Sequence, residues 1–239
     1  MEINEVLKAM LDSIKYIPAE MGTYEDDNYL AFGDDIQEQV RKVAPAAAVY
    51  NGCSKLAIVD KTCNYVVKIP FRGMYYNNYD ESSDDWDEEY FEEFHYANDI
   101  AGNSDAKVWD YCENELIKYE KAVNAGFGEF FAETAYYGLI DNTPVYIQEK
   151  AIALSERGYE GLHYSDDADK SYTNNRDRIR GWIDEVWTKL AIDWYGLDRV
   201  IEFLNYIDAE GLDSDLHRGN IGFTDAGKPV LIDWAGWRD

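Results

Sequence analysis

Apolar residues recur at three- and four-residue spacing in three stretches of the chain, the signature of helices with one buried face. Ile3, Val6, Leu7, Met10, Leu11 and Ile14 predict an amphipathic helix over residues 2–15. Residues 16–35 read as irregular and acidic, and 36–43 as a short helix or the approach to a first strand. Ala44 to Val59 reads as a hairpin, Asp60 to Asn64 as a turn, and Tyr65-Val66-Val67-Lys68-Ile69-Pro70 as a strand. A helix from about 107 to 125 is expected, capped by Ser104 or Asp105 and stopped by Gly126. Two strands follow, Phe130–Tyr137 and Val145–Glu149, joined by Asp141-Asn142-Thr143-Pro144. Residues 158–175 read as a polar loop. Ile179, Trp182, Ile183, Val186, Trp187, Leu190, Ala191 and Trp194 predict a helix over 176–194, broken by Gly196. A second helix carries Leu197, Val200, Ile201, Leu204 and Ile207 inward and ends near Gly211.

Composition narrows the class. With 239 residues, 46% of them hydrophobic and 15% aromatic, the chain can build one large domain or two small lobes. The net charge of −26 argues against nonspecific binding to nucleic acid or to an anionic membrane, because phosphate backbones need Lys and Arg. It permits a solvated acidic surface, a basic partner, or mimicry of a polyanion. Residues 74–98 form a tyrosine-rich acidic insert. Asp80 to Glu93 holds nine carboxylates and no Lys or Arg, with Trp86, Tyr90, Phe91 and Phe94 interleaved. The three cysteines show no CxxC and no zinc spacing, which predicts free thiols in a reducing compartment. The N-terminus has no basic segment followed by an apolar run, so the expected location is cytoplasmic. No apolar run approaches the length of a membrane span.

The chemistry is concentrated near the C-terminus, in Asp213-Ser214-Asp215-Leu216-His217-Arg218-Gly219-Asn220-Ile221-Gly222 and Val230-Leu231-Ile232-Asp233-Trp234. Asp215, Asn220 and Asp233 carry side-chain oxygens. The segment between the last two reads as a hairpin, with a strand from Asn220 to Phe223, turn residues Asp225-Ala226-Gly227-Lys228, and a return strand at Val230-Leu231-Ile232. A tight hairpin brings Asn220 and Asp233 to the same end. Two adjacent hard oxygen ligands suit Mg²⁺ and a nucleotide phosphate. Asp215 is then placed to take a proton from an attacking hydroxyl.

This stretch resembles the catalytic core of the protein-kinase-like superfamily, in the flavour of the aminoglycoside and choline phosphotransferases. Those small-molecule kinases have a D-L-H-x-G-N catalytic loop and an I-D-W or I-D-Y metal motif. The resemblance spans roughly residues 40–239. It implies a two-lobed protein-kinase-like α+β fold. Residues 1–150 would form an N-lobe with an antiparallel sheet and one main helix, and 151–239 a reduced, mostly helical C-lobe.

The resemblance also implies an ATP- and Mg²⁺-dependent phosphotransferase acting on a hydroxyl of a protein or small molecule. Asp215 would be the base and His217 would order the loop or touch a phosphoryl oxygen. Asn220 and Asp233 would hold Mg²⁺. Lys68, which matches the family's phosphate-contacting lysine, would pair with a glutamate of the following helix. Glu115 is the best match, with Glu113 and Glu120 as competitors. Ser54 or Lys55 would touch phosphate in a loop that carries one glycine, Gly52, where protein kinases have three. Backbone groups from Glu149 to Ala151 would bind adenine. The chain ends six residues after Asp233, without the helices that usually hold substrate. Such trimmed kinase-like chains look like those encoded by bacteriophages. The same features suit a second function, a catalytically weak kinase-fold binding protein that uses its acidic surface to engage a basic partner or mimic nucleic acid.

Overall fold

The computed structural model describes residues 3–17, 28–51, 55–70, 111–179, 183–212 and 216–234, the side chains of 28–33, Asn51 and Tyr111 excepted. Ser54, Asp215 and the acidic insert 74–98 lie outside the described residues. The protein is α+β, with a five-stranded antiparallel sheet and several helices. It divides into two compact units, Met1–Glu113 with Ala135–Gln148, and Asn114–Thr134 with Glu149–Asp239. The helix expected to go with the first 150 residues, α3 (Tyr111–Asn124), therefore has most of its length in the second unit.

The first unit packs two helices on a sheet. In α1 (Glu5–Ser13), Asn4 caps the helix by accepting from the Leu7 amide at 2.8 Å, and Leu7, Met10 and Leu11 are buried. Burying each of these side chains contributes about 1.5–3 kcal/mol. Helix α2 (Asn28–Arg41) begins well before Ile36, inside the segment expected to be irregular. Ile36 and Val40 are fully buried, and tertiary contact outweighs the poor helix propensity of the acidic, glycine-containing sequence. Strands β1 (Ala48–Asn51), β2 (Lys55–Val59) and β3 (Tyr65–Pro70) run antiparallel. β4 (Thr134–Ile140) and β5 (Thr143–Glu149) complete the order β1-β2-β3-β5-β4. Leu56, Ile58, Val67 and Ile69 alternate onto the core face, as a period of two requires. The β4–β5 turn is tighter than the sequence suggested. Only Asp141 and Asn142 form it, with φ of 49° and 58°, a pair of left-handed residues suited to a two-residue hairpin. The Asp141 carboxylate also accepts from the Ile17 amide at 2.9 Å.

The second unit is helical around a small sheet and includes a short α4 (Leu154–Arg157). Residues 158–175, expected as loop, include α5 (Asp166–Asn174). Ser165 caps it, three aspartates in its first turn complement the helix dipole, and Ala168 and Tyr172 are buried. The helix expected over 176–194 is two pieces, α6 (Arg176–Ile179) and α7 (Glu185–Tyr195), the second restarted by an Asp184 cap. Trp187 is fully buried, whereas Trp194, expected inward, is 51% exposed. Gly196, at φ 87°, closes α7 and opens α8 (Leu197–Ala209). In α8, Val200, Phe203, Leu204 and Ile207 face the core, and Phe203 stacks on Phe130 at 4.0 Å. The small sheet has the order β6-β7-β8, from β6 (Ala151–Ala153), β7 (Ile221–Thr224) and β8 (Pro229–Leu231). No helix among the described residues is long and apolar enough to cross a membrane.

Candidate functional site

The β7–β8 hairpin sets the candidate site. Ile221 pairs with Leu231, Gly222 with Val230, and Phe223 with Pro229. Thr224 and Lys228 close the turn, and Gly227 takes φ 83° within it. At the other end, the Asn220 carbonyl accepts from both the Ile232 amide at 2.7 Å and the Asp233 amide at 3.3 Å. Asn220 and Asp233 thus leave the same end of the hairpin, as the sequence spacing predicted. Asn220 is 9% exposed and Asp233 is half-buried.

The loop leading into β7 is built from its own residues. His217 Nδ1 accepts from the Gly219 amide at 3.0 Å. A Cβ on Gly219 would lie 2.8 Å from the imidazole, so a larger residue there would have to displace the His217 ring. The Asn220 amide donates to the His217 carbonyl at 2.9 Å, and the Ser155 amide donates to the Arg218 carbonyl at 3.0 Å. Gly222 lies against β6, where an added Cβ would stand 2.2 Å from the Ile152 carbonyl oxygen. Trp187 Nε1 donates to the Gly222 carbonyl at 3.2 Å and ties α7 to the hairpin.

Asp184 holds this loop from the side. Its Oδ1 accepts from the Val186 and Trp187 amides at 2.9 and 3.3 Å. Its Oδ2 accepts from Tyr159 Oη at 2.6 Å and Arg218 Nε at 2.9 Å. Burial acts to raise the Asp184 carboxyl, but the four donors outweigh it and hold the group below the usual aspartate range.

Two hard oxygen donors at the hairpin end fit Mg²⁺, which takes one or two protein oxygens and completes its shell with phosphate and water. Among the described residues, no three His, Cys, Asp or Glu side chains gather into a metal cage. The Asn220–Asp233 pair offers one carboxamide and one carboxylate.

The other expected site residues are spread over the two units. Lys55 begins β2, opposite Pro70, and is 9% exposed. Lys68 sits on β3 opposite Ala57 and is 4% exposed. Of the three candidate glutamates, Glu115 is fully buried while Glu113 and Glu120 are exposed, which sequence periodicity alone left open. Trp234 Nε1 donates to the Glu115 carbonyl, so α3 and the end of the hairpin are joined. The Glu149 amide donates to the Glu133 carbonyl at 2.7 Å, and its carboxylate pairs with Lys228 at 2.8 Å. Ala151 pairs with Thr224 in the small sheet.

Glu149 and Lys228 also line an open cleft of about 410 Å³ with Tyr119, Phe131 and Glu133. None of His217, Asn220 or Asp233 lines it. Burial first, and then the charges of Glu133 and Glu149, raise the Tyr119 hydroxyl. Sequence reasoning missed Asp184 and Tyr159. The Asp-Glu pair ahead of the apolar run was the available cap signal for Asp184, and nothing in the sequence marked Tyr159.

No protein-family model, no curated protein and no solved structure matches this chain.

Proposed function

We propose that the protein is an ATP- and Mg²⁺-dependent phosphotransferase of the kinase-like type, with a hydroxyl as phosphoryl acceptor. The observation that supports this reading is that the Asn220 carbonyl accepts from both the Ile232 and Asp233 amides, which brings the backbones of the two proposed metal ligands to one end of the hairpin. Asn220 and Asp233 hold Mg²⁺, which neutralises charge on the transferring phosphoryl group when bound. Asp215 orients and deprotonates the acceptor hydroxyl. His217, exposed and accepting at Nδ1 from the Gly219 amide, orders the loop or touches a phosphoryl oxygen. Lys55, Lys68 and Ser54 serve the nucleotide phosphates, and Glu115, the buried glutamate of α3, is the helix acid of the family pattern. The Glu149 amide is already engaged by the Glu133 carbonyl, so adenine would take other backbone groups of the 149–151 stretch.

Calorimetry with ATP, with and without Mg²⁺, tests the reading on wild type and Asp233→Ala. The expected result is Mg²⁺-dependent binding that the substitution abolishes. Asp215→Ala should then bind ATP normally and serve as the inactive control in a phosphotransfer screen. Absence of wild-type binding at millimolar ATP would sink it.

The net charge of −26 favours a second reading, a kinase-fold binding protein that engages a basic partner through its acidic surface. Wild-type ATP binding unaffected by Mg²⁺ and by Asp233→Ala, together with capture of a basic protein lost at high salt, would select it.

A further inference from the structure

Arg218 is held in a way that a solvated surface arginine is not. Its Nε donates to Asp184 Oδ2 at 2.9 Å, and its guanidinium lies 4.9 Å over the centre of the Tyr159 ring. Tyr159 in turn donates to the same carboxylate oxygen at 2.6 Å. Asp184 is held by the α7 N-terminal amides and its side chain is only 9% exposed, so it is a rigid base for the guanidinium. The Arg218 backbone is fixed as well, through its carbonyl and the Ser155 amide. The two terminal nitrogens of Arg218 have no partner among the described residues, and the side chain is 60% exposed. One nitrogen and one face of the group are therefore committed to the protein, and the two nitrogens at its far end are open.

A guanidinium fixed at Nε presents two parallel N–H groups, a fork matched to the two oxygens of a carboxylate or phosphate. Its rotamer freedom is removed before any ligand arrives, so less entropy is lost on binding. In a chain with 48 acidic and 22 basic residues, a bare oxyanion finds few such places. Asp184 is below the usual aspartate range, and stays ionised to hold Arg218 throughout the neutral range.

We infer that Arg218, braced by Asp184 and Tyr159, is an oxyanion-binding residue that recognises a carboxylate or phosphate on the phosphoryl acceptor. This rests on the phosphotransferase reading and adds a substrate class to it, an acceptor bearing both a hydroxyl and an anionic group. Arg218 lies in the loop between Asp215, the proposed base, and Asn220, the proposed metal ligand. Its side chain turns toward Tyr159 and toward Asp184, the cap of α7.

Inorganic phosphate is the probe. It is titrated into ¹⁵N-labelled full-length protein, with and without saturating ATP and Mg²⁺, while the Gly219 amide and Arg218 Nε–H resonances are followed. A saturable shift of both signals is expected in either condition. Arg218→Gln should weaken the Gly219 response roughly tenfold or more. Arg218→Lys should restore only part of it, because an ammonium offers no fork. Asp184→Asn keeps a good helix cap but releases the guanidinium, and should weaken phosphate binding with the fold intact. An Arg218→Gln protein that titrates like wild type overturns the site. Phosphate displaced by ATP and Mg²⁺ overturns the assignment to the acceptor, since a nucleotide phosphate would then occupy the arginine. An Arg218-dependent phosphate response in a chain that binds no ATP upholds the oxyanion site and overturns only the phosphotransferase reading.

Discussion

Trp234 Nε1 donates to the backbone carbonyl of Glu115 at 3.0 Å, across 119 positions of chain. The indole is 1% exposed, meets Phe131 edge-on at 5.0 Å, and lies 6.5 Å from Tyr119. Directly after Asp233, it anchors the end of the β7–β8 hairpin to the helix that carries the buried glutamate. The third residue of the I-D-W motif is thus explained by packing and one hydrogen bond, apart from any metal chemistry.

Trp234→Phe keeps most of the aromatic packing and deletes the donor. It should cost about 1–3 kcal/mol, the range for a broken buried hydrogen bond with some lost volume. Trp234→Ala should cost about 3–5 kcal/mol. Urea unfolding of the three proteins measures both, and equal stability of Trp234→Phe and wild type would show that the hydrogen bond contributes nothing.

Gly222→Ala should damage the small sheet. The new methyl would stand 2.2 Å from the Ile152 carbonyl oxygen and 2.6 Å from Ile232 Cδ1. The backbone carbonyl cannot rotate away as a flexible side chain can. The expected loss is at least about 1–3 kcal/mol, the usual cost of overpacking. Thermal unfolding reads it directly, and a melting temperature unchanged from wild type contradicts the close β6–β7 approach.

Asp184 predicts an acid-dependent stability. Its folded carboxyl lies below the ordinary range because the Tyr159, Trp187, Val186 and Arg218 donors outweigh burial. Between that lowered pKa and the unfolded value of about 3.9, the unfolded chain binds more protons, so stability rises with pH. The contribution is complete above the unfolded pKa and is lost as pH falls through the folded one. Asp184→Asn keeps the cap and removes this titration. The stability advantage of wild type over Asp184→Asn should be present at pH 6 and shrink as the pH is lowered from about 5 to 3. Urea midpoints across that interval measure it, and a constant difference would show that Asp184 is not held ionised by its donors.

Local patterns read well where one strong signal acted alone. The first helix followed from its apolar spacing, and Asn4 supplies the cap. The β7–β8 hairpin followed from Asp225-Ala226-Gly227-Lys228 between two apolar runs. Patterns failed where a tertiary partner supplied the energy. Helix α5 was hidden in a polar stretch because its buried face is only Ala168 and Tyr172. Lys189 completes that packing, paired with Asp169 and Glu185 at 2.6 and 2.7 Å and lying over the Tyr164 and Tyr172 rings. Trp194 kept the helical spacing of the core yet faces solvent. The chain restarts at Asp184, and the second piece presents a narrower stripe than one long helix would.

The sequence by itself determined the hairpin and the end from which Asn220 and Asp233 leave it. Those follow from turn residues and from strand periodicity, which act over a few positions. Only the tertiary structure decided that Glu115 is the buried glutamate of α3, that Trp234 reaches its carbonyl, and that Asp184 and Tyr159 brace Arg218. These relationships join residues that lie far apart along the chain. Helix phase and long-range contact set them, and a one-dimensional pattern carries the first only to within a turn and the second not at all.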